Sequence, residues 1–230
     1  MPKPDFARTD LSLLADRDLR FLIENFPTTG RSYEEIADLI HRLPTRLESL
    51  LNSEFLFSKI YDQRQLILGI SPFLFFNVLL RRSLFDKRIL GDRSVINYLA
   101  NLLSLFVKTD RLYRVQRHDE HTSQYLTDMA MEAQNVDSRR QFLVYAHIGN
   151  YSLYTTGIFP QSIEYRHRYK NRPVSTQFYI DFGSEYYQRA SAHKMARQYE
   201  LDEVFFRLSI MFEVYKDALN HLSKQYLGFS

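Results

Sequence analysis

Cysteine and tryptophan are absent from the 230 residues, and glycine and proline number only 7 each. A chain without Cys has no disulfide framework, thiolate zinc site, cysteine nucleophile or iron–sulfur cluster. So little Gly and Pro, beside 45% hydrophobic residues, excludes collagen and low-complexity disorder. An excess of one charge is missing too: 30 Lys+Arg against 27 Asp+Glu leave a formal +3. That near balance does not by itself imply a nucleic-acid partner, despite a sequence pI near 9.0.

Long apolar runs are also lacking. The most apolar window, Leu66 to Leu80, is about 15 residues against the roughly 20 a spanning helix needs, and Ser71, Pro72 and Asn77 interrupt it. It predicts a buried core helix, with a peripheral membrane helix as the alternative. The opening MPKPDFARTD has no secretory pattern and the closing QYLGFS no lipidation site, so the expected location is cytoplasmic. Gly-x-Ser-x-Gly, the phosphate loop and Gly-x-Gly-x-x-Gly do not occur, which removes the usual support for hydrolase and nucleotide-binding readings.

Helical periodicity dominates what remains, and no alternating strand pattern is bounded by turns. The expected class is all-α: a single-domain bundle, residues 1–230, of eight or nine helices, with a weak subdivision near 108–121. Asp10 is an expected N-cap for a helix carrying Leu11, Leu14, Leu19, Leu22 and Ile23 and ending before Pro27. Ser32 opens a capping box with Glu35, and Pro44 ends that helix. Ser71-Pro72 reads as N-cap plus first-turn proline for a helix through Phe85. From Asp92, the residues Val95, Ile96, Leu99, Leu102, Leu103 and Phe106 form one stripe, and residues 108–121 read as a charged surface connection. A helix is expected over about Thr122 to Gln134, then a long apolar one over about Ser138 to Phe159. Leu201, Val204, Phe205, Leu208, Met211, Phe212, Tyr215, Leu219 and Leu222 predict one long C-terminal core helix. Phe206 and Ile210 lie opposite that stripe, which predicts burial on both sides at its middle. Gly149 and Gly157 are placed to let another helix approach closely.

Three stretches, SPFLFFNVLLRRS at 71–83, GNYSLYTTGIFP at 149–160 and YIDFGSEYYQRAS at 179–191, together show a Gly-Asn/Asp-x-Ser-Leu…Thr-Gly-x-Phe-Pro segment followed by Gly-x-x-Tyr-Tyr. In these the chain resembles an uncharacterised family of bacterial all-helical proteins, over about residue 60 to the end. The resemblance implies a helical fold and an intracellular bacterial setting, and it transfers no catalytic residue.

Several constellations suggest chemistry. Glu164-x-x-His167 has the spacing that places both side chains on one helical face, as in ferritin-like di-metal bundles, though a second copy is missing and EYRHRYKNRP reads as a solvent-facing loop. Glu213, Asp217 and His221, at i, i+4 and i+8, resemble part of the ligand set of haem-oxygenase-like di-iron enzymes, and the bland alternative is an exposed polar face. An enzyme on either pattern would be a di-metal oxidase or oxygenase with two Fe or Mn ions. His118-Asp119-Glu120-His121 in the 108–121 connection has two histidines three apart that could bind one Zn²⁺ or Ni²⁺ adventitiously, and a solvated loop is the simpler reading.

Residues 32–51 superficially resemble a helix-turn-helix, with only Arg46 as a strong contact. Basic and aromatic residues interleave at Arg111, Arg114 and Arg117 and again at Arg166, Arg168 and Lys170, so nucleic acid is a further alternative. The broadest reading is protein association. With 16 Tyr and 18 Phe, the chain has the residues interfaces favour, and Tyr179, Tyr186 and Tyr187 follow one another along one expected helix as a homodimer or partner face. The expected function is therefore that of a helical interaction or regulatory protein.

Overall fold

Asp10 does cap a helical turn, but a short one: its Oδ1 accepts from the Ser12 N–H, and the turn Leu11–Leu13 is 3-10 and ends at Leu14. The main helix α1 (Asp16–Glu24) begins one turn later, where the Asp18 carboxylate accepts from the Ala15 N–H. The other oxygen of Asp18 accepts from the Ser71 N–H at 2.6 Å, so one fully buried carboxylate fixes two helix starts.

The computed structural model describes residues 3–25, 44–62, 69–120, 122, 125–169 and 175–229, with side chains at 44–46 and 165–169 left aside. The described residues are all-α, with thirteen α-helices and no strand among them. Contacts divide the chain into two compact units, Asp10–Ser104 and Met1–Thr9 with Leu105–Ser230. Among the described residues no helix is long and apolar enough to cross a membrane.

In the first unit α1 is followed by α2 (Pro44–Leu51), α3 (Glu54–Asp62), α4 (Pro72–Asp86) and α5 (Arg93–Phe106), whose last two residues fall in the second unit. The Ser32 capping box and the first half of the helix-turn-helix reading lie outside the described residues. Ser71 and Pro72 behave as expected: Ser71 Oγ accepts from the Leu74 N–H and Pro72 occupies the first turn. Asn97, Asn77, Arg81 and Glu48 form a buried polar chain, with Asn77 Nδ2 donating to Asn97, Arg81 Nε donating to Asn77 and Arg81 Nη1 lying 2.8 Å from Glu48. Burial pulls the Arg81 pKa below the ordinary arginine value, and Glu48 opposes that pull.

Helix α4 ends with Arg88 in the left-handed region at φ 57, where the Arg88 N–H donates to Phe85 and the Ile89 N–H to Leu84. That is a Schellman-type stop with a side chain where glycine is preferred. Glu200, at φ 59, repeats the arrangement, with Leu201 N–H donating to Ala196. Left-handed geometry costs a non-glycine residue about 1–2 kcal/mol, against about 0.5–1 kcal/mol of added unfolded-state entropy for glycine. Arg88→Gly and Glu200→Gly are each expected to raise stability by about 0.5–1 kcal/mol in urea unfolding; a loss in both would show that the side chains hold these turns.

The second unit contains α6 (Thr109–Leu112), α7 (Leu126–Gln134), α8 (Ser138–Ile158), α9 (Pro160–Tyr169), α10 (Thr176–Ala192), α11 (Lys194–Gln198), α12 (Asp202–Ile210) and α13 (Phe212–Leu222), then a π turn, Ser223–Leu227. Helix α8 is its axis, with α7, α10 and α13 packed around it. Asp137 caps it by accepting from the Arg139 and Arg140 N–H groups. The expected close approach at its glycines is present: a Cβ at Gly149 would stand 2.6 Å from the Tyr187 ring, and one at Gly157 would stand 2.6 Å from Leu219 Cβ.

Four expectations are corrected. The long C-terminal helix is two helices, Asp202–Ile210 and Phe212–Leu222, and at the break the Ser184 hydroxyl donates to the Ser209 carbonyl at 2.7 Å. Phe206 and Ile210 are exposed instead of buried, because no described residue covers that side of the helix. Glu164 to Tyr169 are helical, not loop. The described part of the connection, residues 108–120, includes the helix α6 and is tied down: Arg111 makes a two-pronged pair with Asp5, and Arg140 bridges Asp119 at 2.7 Å and Glu132 at 2.6 Å.

Candidate functional site

The positions Ile180, Asp181, Ser184, Glu185 and Gln188 fall on one face of α10 at helical spacing. Opposite them stand the end of α12 and the start of α13, Ser209 to Val214, and between the two walls lies a groove of about 420 Å³. The Ser184 to Ser209 hydrogen bond at the helix break joins the two walls of the groove. Ile180 and Phe212 are buried beneath it, while Ile210 is 63% exposed at its lip and Phe206, one turn earlier on α12, is 46% exposed. These two side chains, four residues apart on one helix face, put apolar surface beside the groove.

Every charged residue lining the groove is an acid: Asp181, Glu185 and Glu213. Gln177 donates to Asp181 at 2.8 Å, Glu185 pairs with Arg189 along α10, and the Lys216 ammonium stands 3.9 Å from Glu213. These pairs are solvent-exposed or long and hold their partners weakly. At the helix break the C-terminal end of α12 and the N-terminal end of α13 meet, so their opposite partial charges of about half a unit largely cancel. The three carboxylates therefore set the field of the groove.

The residues singled out from the sequence are dispersed. Glu213, Asp217 and His221 do share a face of α13, and Lys216 Nζ lies 3.1 Å from Asp217 and 3.9 Å from Glu213, placing a cation beside both carboxylates. The His221 ring packs edge-on against Tyr226. Glu164 is exposed on α9, and the His167 side chain lies outside the described residues. Among the described residues no group of three His, Cys, Asp or Glu side chains is arranged to hold a metal ion.

The tyrosines are placed differently from an exposed face. Tyr187 is fully buried, with its ring on Gly149 and its hydroxyl donating to Asn150 at 2.8 Å, and Tyr186 is buried against Tyr145 and Phe182. Tyr179 is half-buried against Tyr151. The acids of α10 lie on its surface side: Asp181 and Glu185 are exposed while Gly183 and Tyr187 meet Ser152 and Gly149 of α8. Of the basic residues, Arg111 is buried on Asp5, Arg114 donates to the Asp119 carbonyl and Arg117 is exposed. Arg166 and Arg168 belong to α9 with side chains outside the described residues, and Lys170 lies outside them entirely.

Beneath the 108–120 segment, α8 buries a polar row. His147 is enclosed, packs against the Phe106 edge and has an Nε2 with no hydrogen-bond partner. Burial, then the nearby Arg111 charge, push its pKa down to about 3, with the Leu112 backbone opposing. Burial likewise pushes the Tyr154 hydroxyl up to about 12. Both groups are neutral at physiological pH.

No family model, curated protein or solved structure matches this chain. Sequence reasoning did not find the groove. Its one legible signal was Phe206 and Ile210 opposite the main stripe, and that pattern reads equally well as a second buried face.

Proposed function

We propose that the chain is an interaction protein that binds another protein through the groove between α10 and the α12–α13 break. The observation supporting this reading is the pairing of Ile210 and Phe206, wet and adjacent, with a groove whose charged lining is acidic. A two-fold homodimer centred on this face would bring its acids, Asp181, Glu185 and Glu213, against the acidic face of the copy, and like charges brought together disfavour it. A different protein is the better occupant.

Site-specific photocrosslinking in the cells that express the protein tests this. A photoreactive side chain at Ile210 should give one discrete adduct, while the same group at Met131, exposed on α7, should give none. Equal labelling from both positions, or none from either, would sink the proposal, and an adduct of twice the chain mass would replace it with self-association.

A further inference from the structure

Resting on the reading of the groove as a protein-binding site, we infer that its occupant is a basic amphipathic helix, seated with apolar side chains beside Ile210 and Phe206 and cations over Asp181, Glu185 and Glu213. Three features of the groove select that chemistry. Charge is the first: the lining holds three acids and no Lys or Arg, and the opposed helix ends add little field of their own. The acids are also available. Among the described residues Asp181 accepts from the neutral Gln177 amide, Glu185 pairs with a half-exposed Arg189, and Lys216 lies nearer to Asp217 than to Glu213, so a ligand cation can compete for all three.

Shape is the second feature. The wall from Ile180 to Gln188 covers about 12 Å of helix axis at 1.5 Å per residue, which matches two to three turns of a partner helix. The third is the absence of any strand edge among the described residues, which leaves the groove without a backbone ladder to capture an extended peptide. A helix laid in a groove, anchored at i, i+3 or i+4, and i+7, is the mode that remains. Arg189, at the end of the α10 acid row, would be displaced from Glu185 as a ligand cation arrives.

The probe is a fluorescein-labelled amphipathic Leu/Lys peptide of about four turns, with a Leu/Glu peptide of the same pattern as its counterpart, titrated into the full chain at low and moderate salt. Amide resonances of groove residues are followed in parallel. The Leu/Lys peptide should bind and shift the resonances of Ile180 to Gln188 and Ser209 to Val214, and the Leu/Glu peptide should not. The triple variant Asp181→Asn, Glu185→Gln, Glu213→Gln should weaken binding at least tenfold, the control Asp128→Asn on α7 should leave it unchanged, and Ile210→Asp should weaken it despite the added negative charge. All substituted positions are exposed, so the variants should fold. Equal binding of both peptides with loss on Ile210→Asp would overturn the basic partner and leave the groove as a binding site. Undiminished binding of Leu/Lys to the triple variant would also overturn it, by placing the peptide elsewhere. Groove resonances that move with neither peptide would overturn the inference and the binding reading together.

Discussion

Lowering the pH from 7 to 5 is expected to remove about 2 kcal/mol of folding stability through His147 alone. In the unfolded chain the imidazole titrates near 6.5, whereas burial and the Arg111 charge hold it near 3 in the folded protein. Below pH 6.5 the unfolded state takes up a proton that the folded state refuses, so the stability present above that pH is lost progressively until the folded pKa is reached. Asp137 contributes little in this window, because the N–H groups of Arg140 and Arg139 shift it further down from the ordinary carboxylate value. His193 is also shifted down by burial and Lys194, but it is partly exposed, so its share is smaller. Urea unfolding at both pH values, for the wild type and His147→Asn, measures the difference. The variant pays its own packing cost at every pH, so the informative quantity is the change between pH 7 and 5, which should shrink by about 2 kcal/mol. Parallel losses in the two proteins would mean that the folded protein accommodates a charged His147.

Gly157→Ala and Gly183→Ala should each destabilise by about 1–3 kcal/mol, although alanine is the better helix former. Helix propensity alone favours the substitution by about 0.8–1.0 kcal/mol. Against that, the new Cβ at Gly157 would meet Leu219 Cβ at 2.6 Å, and at Gly183 it would meet Ser152 Cβ at 2.5 Å with the Phe212 ring at 2.8 Å. A Cβ is fixed by its own backbone and cannot rotate away, so α8 must separate from α13 in the first case and from α10 in the second. Gly91 provides the contrast. Its obstacles are the terminal methyls Ile96 Cδ1 and Leu84 Cδ1, which can change rotamer, so Gly91→Ala should cost much less. Thermal unfolding of the three variants side by side would test the ordering, and a stabilised Gly157→Ala or Gly183→Ala would show that these contacts yield easily.

The Gly183 contact also bears on the groove. Phe212 reaches Gly183 because α12 stops at Ile210 and α13 starts afresh, and the same stop leaves Ile210 and the Ser209 to Val214 wall facing solvent. A side chain at 183 should therefore disturb the groove as well as the stability. Peptide binding by any Gly183 variant is expected to fall with its folding.

The sequence by itself determined the helical class, the apolar stripes and several helix ends. Val95, Ile96, Leu99, Leu102, Leu103 and Phe106 are all buried, as are Leu201, Val204, Phe205, Leu208, Phe212, Tyr215, Leu219 and Leu222. Such patterns are legible because periodicity, Ser71-Pro72 capping and the glycines of α8 act within a few residues of chain or through the size of one side chain. Which partner each surface meets was decided only by tertiary structure. The helix break after Ile210 meets the hydroxyl of Ser184, 25 residues away, and the region has neither proline nor glycine to announce it. Arg111 leaves the surface because Asp5, 106 positions earlier, meets it, and Tyr187 is drawn inside by the space Gly149 leaves on another helix. Local sequence specifies that a face is apolar or charged; only the arrangement of helices specifies whether that face is covered, and at Phe206 and Ile210 it is not.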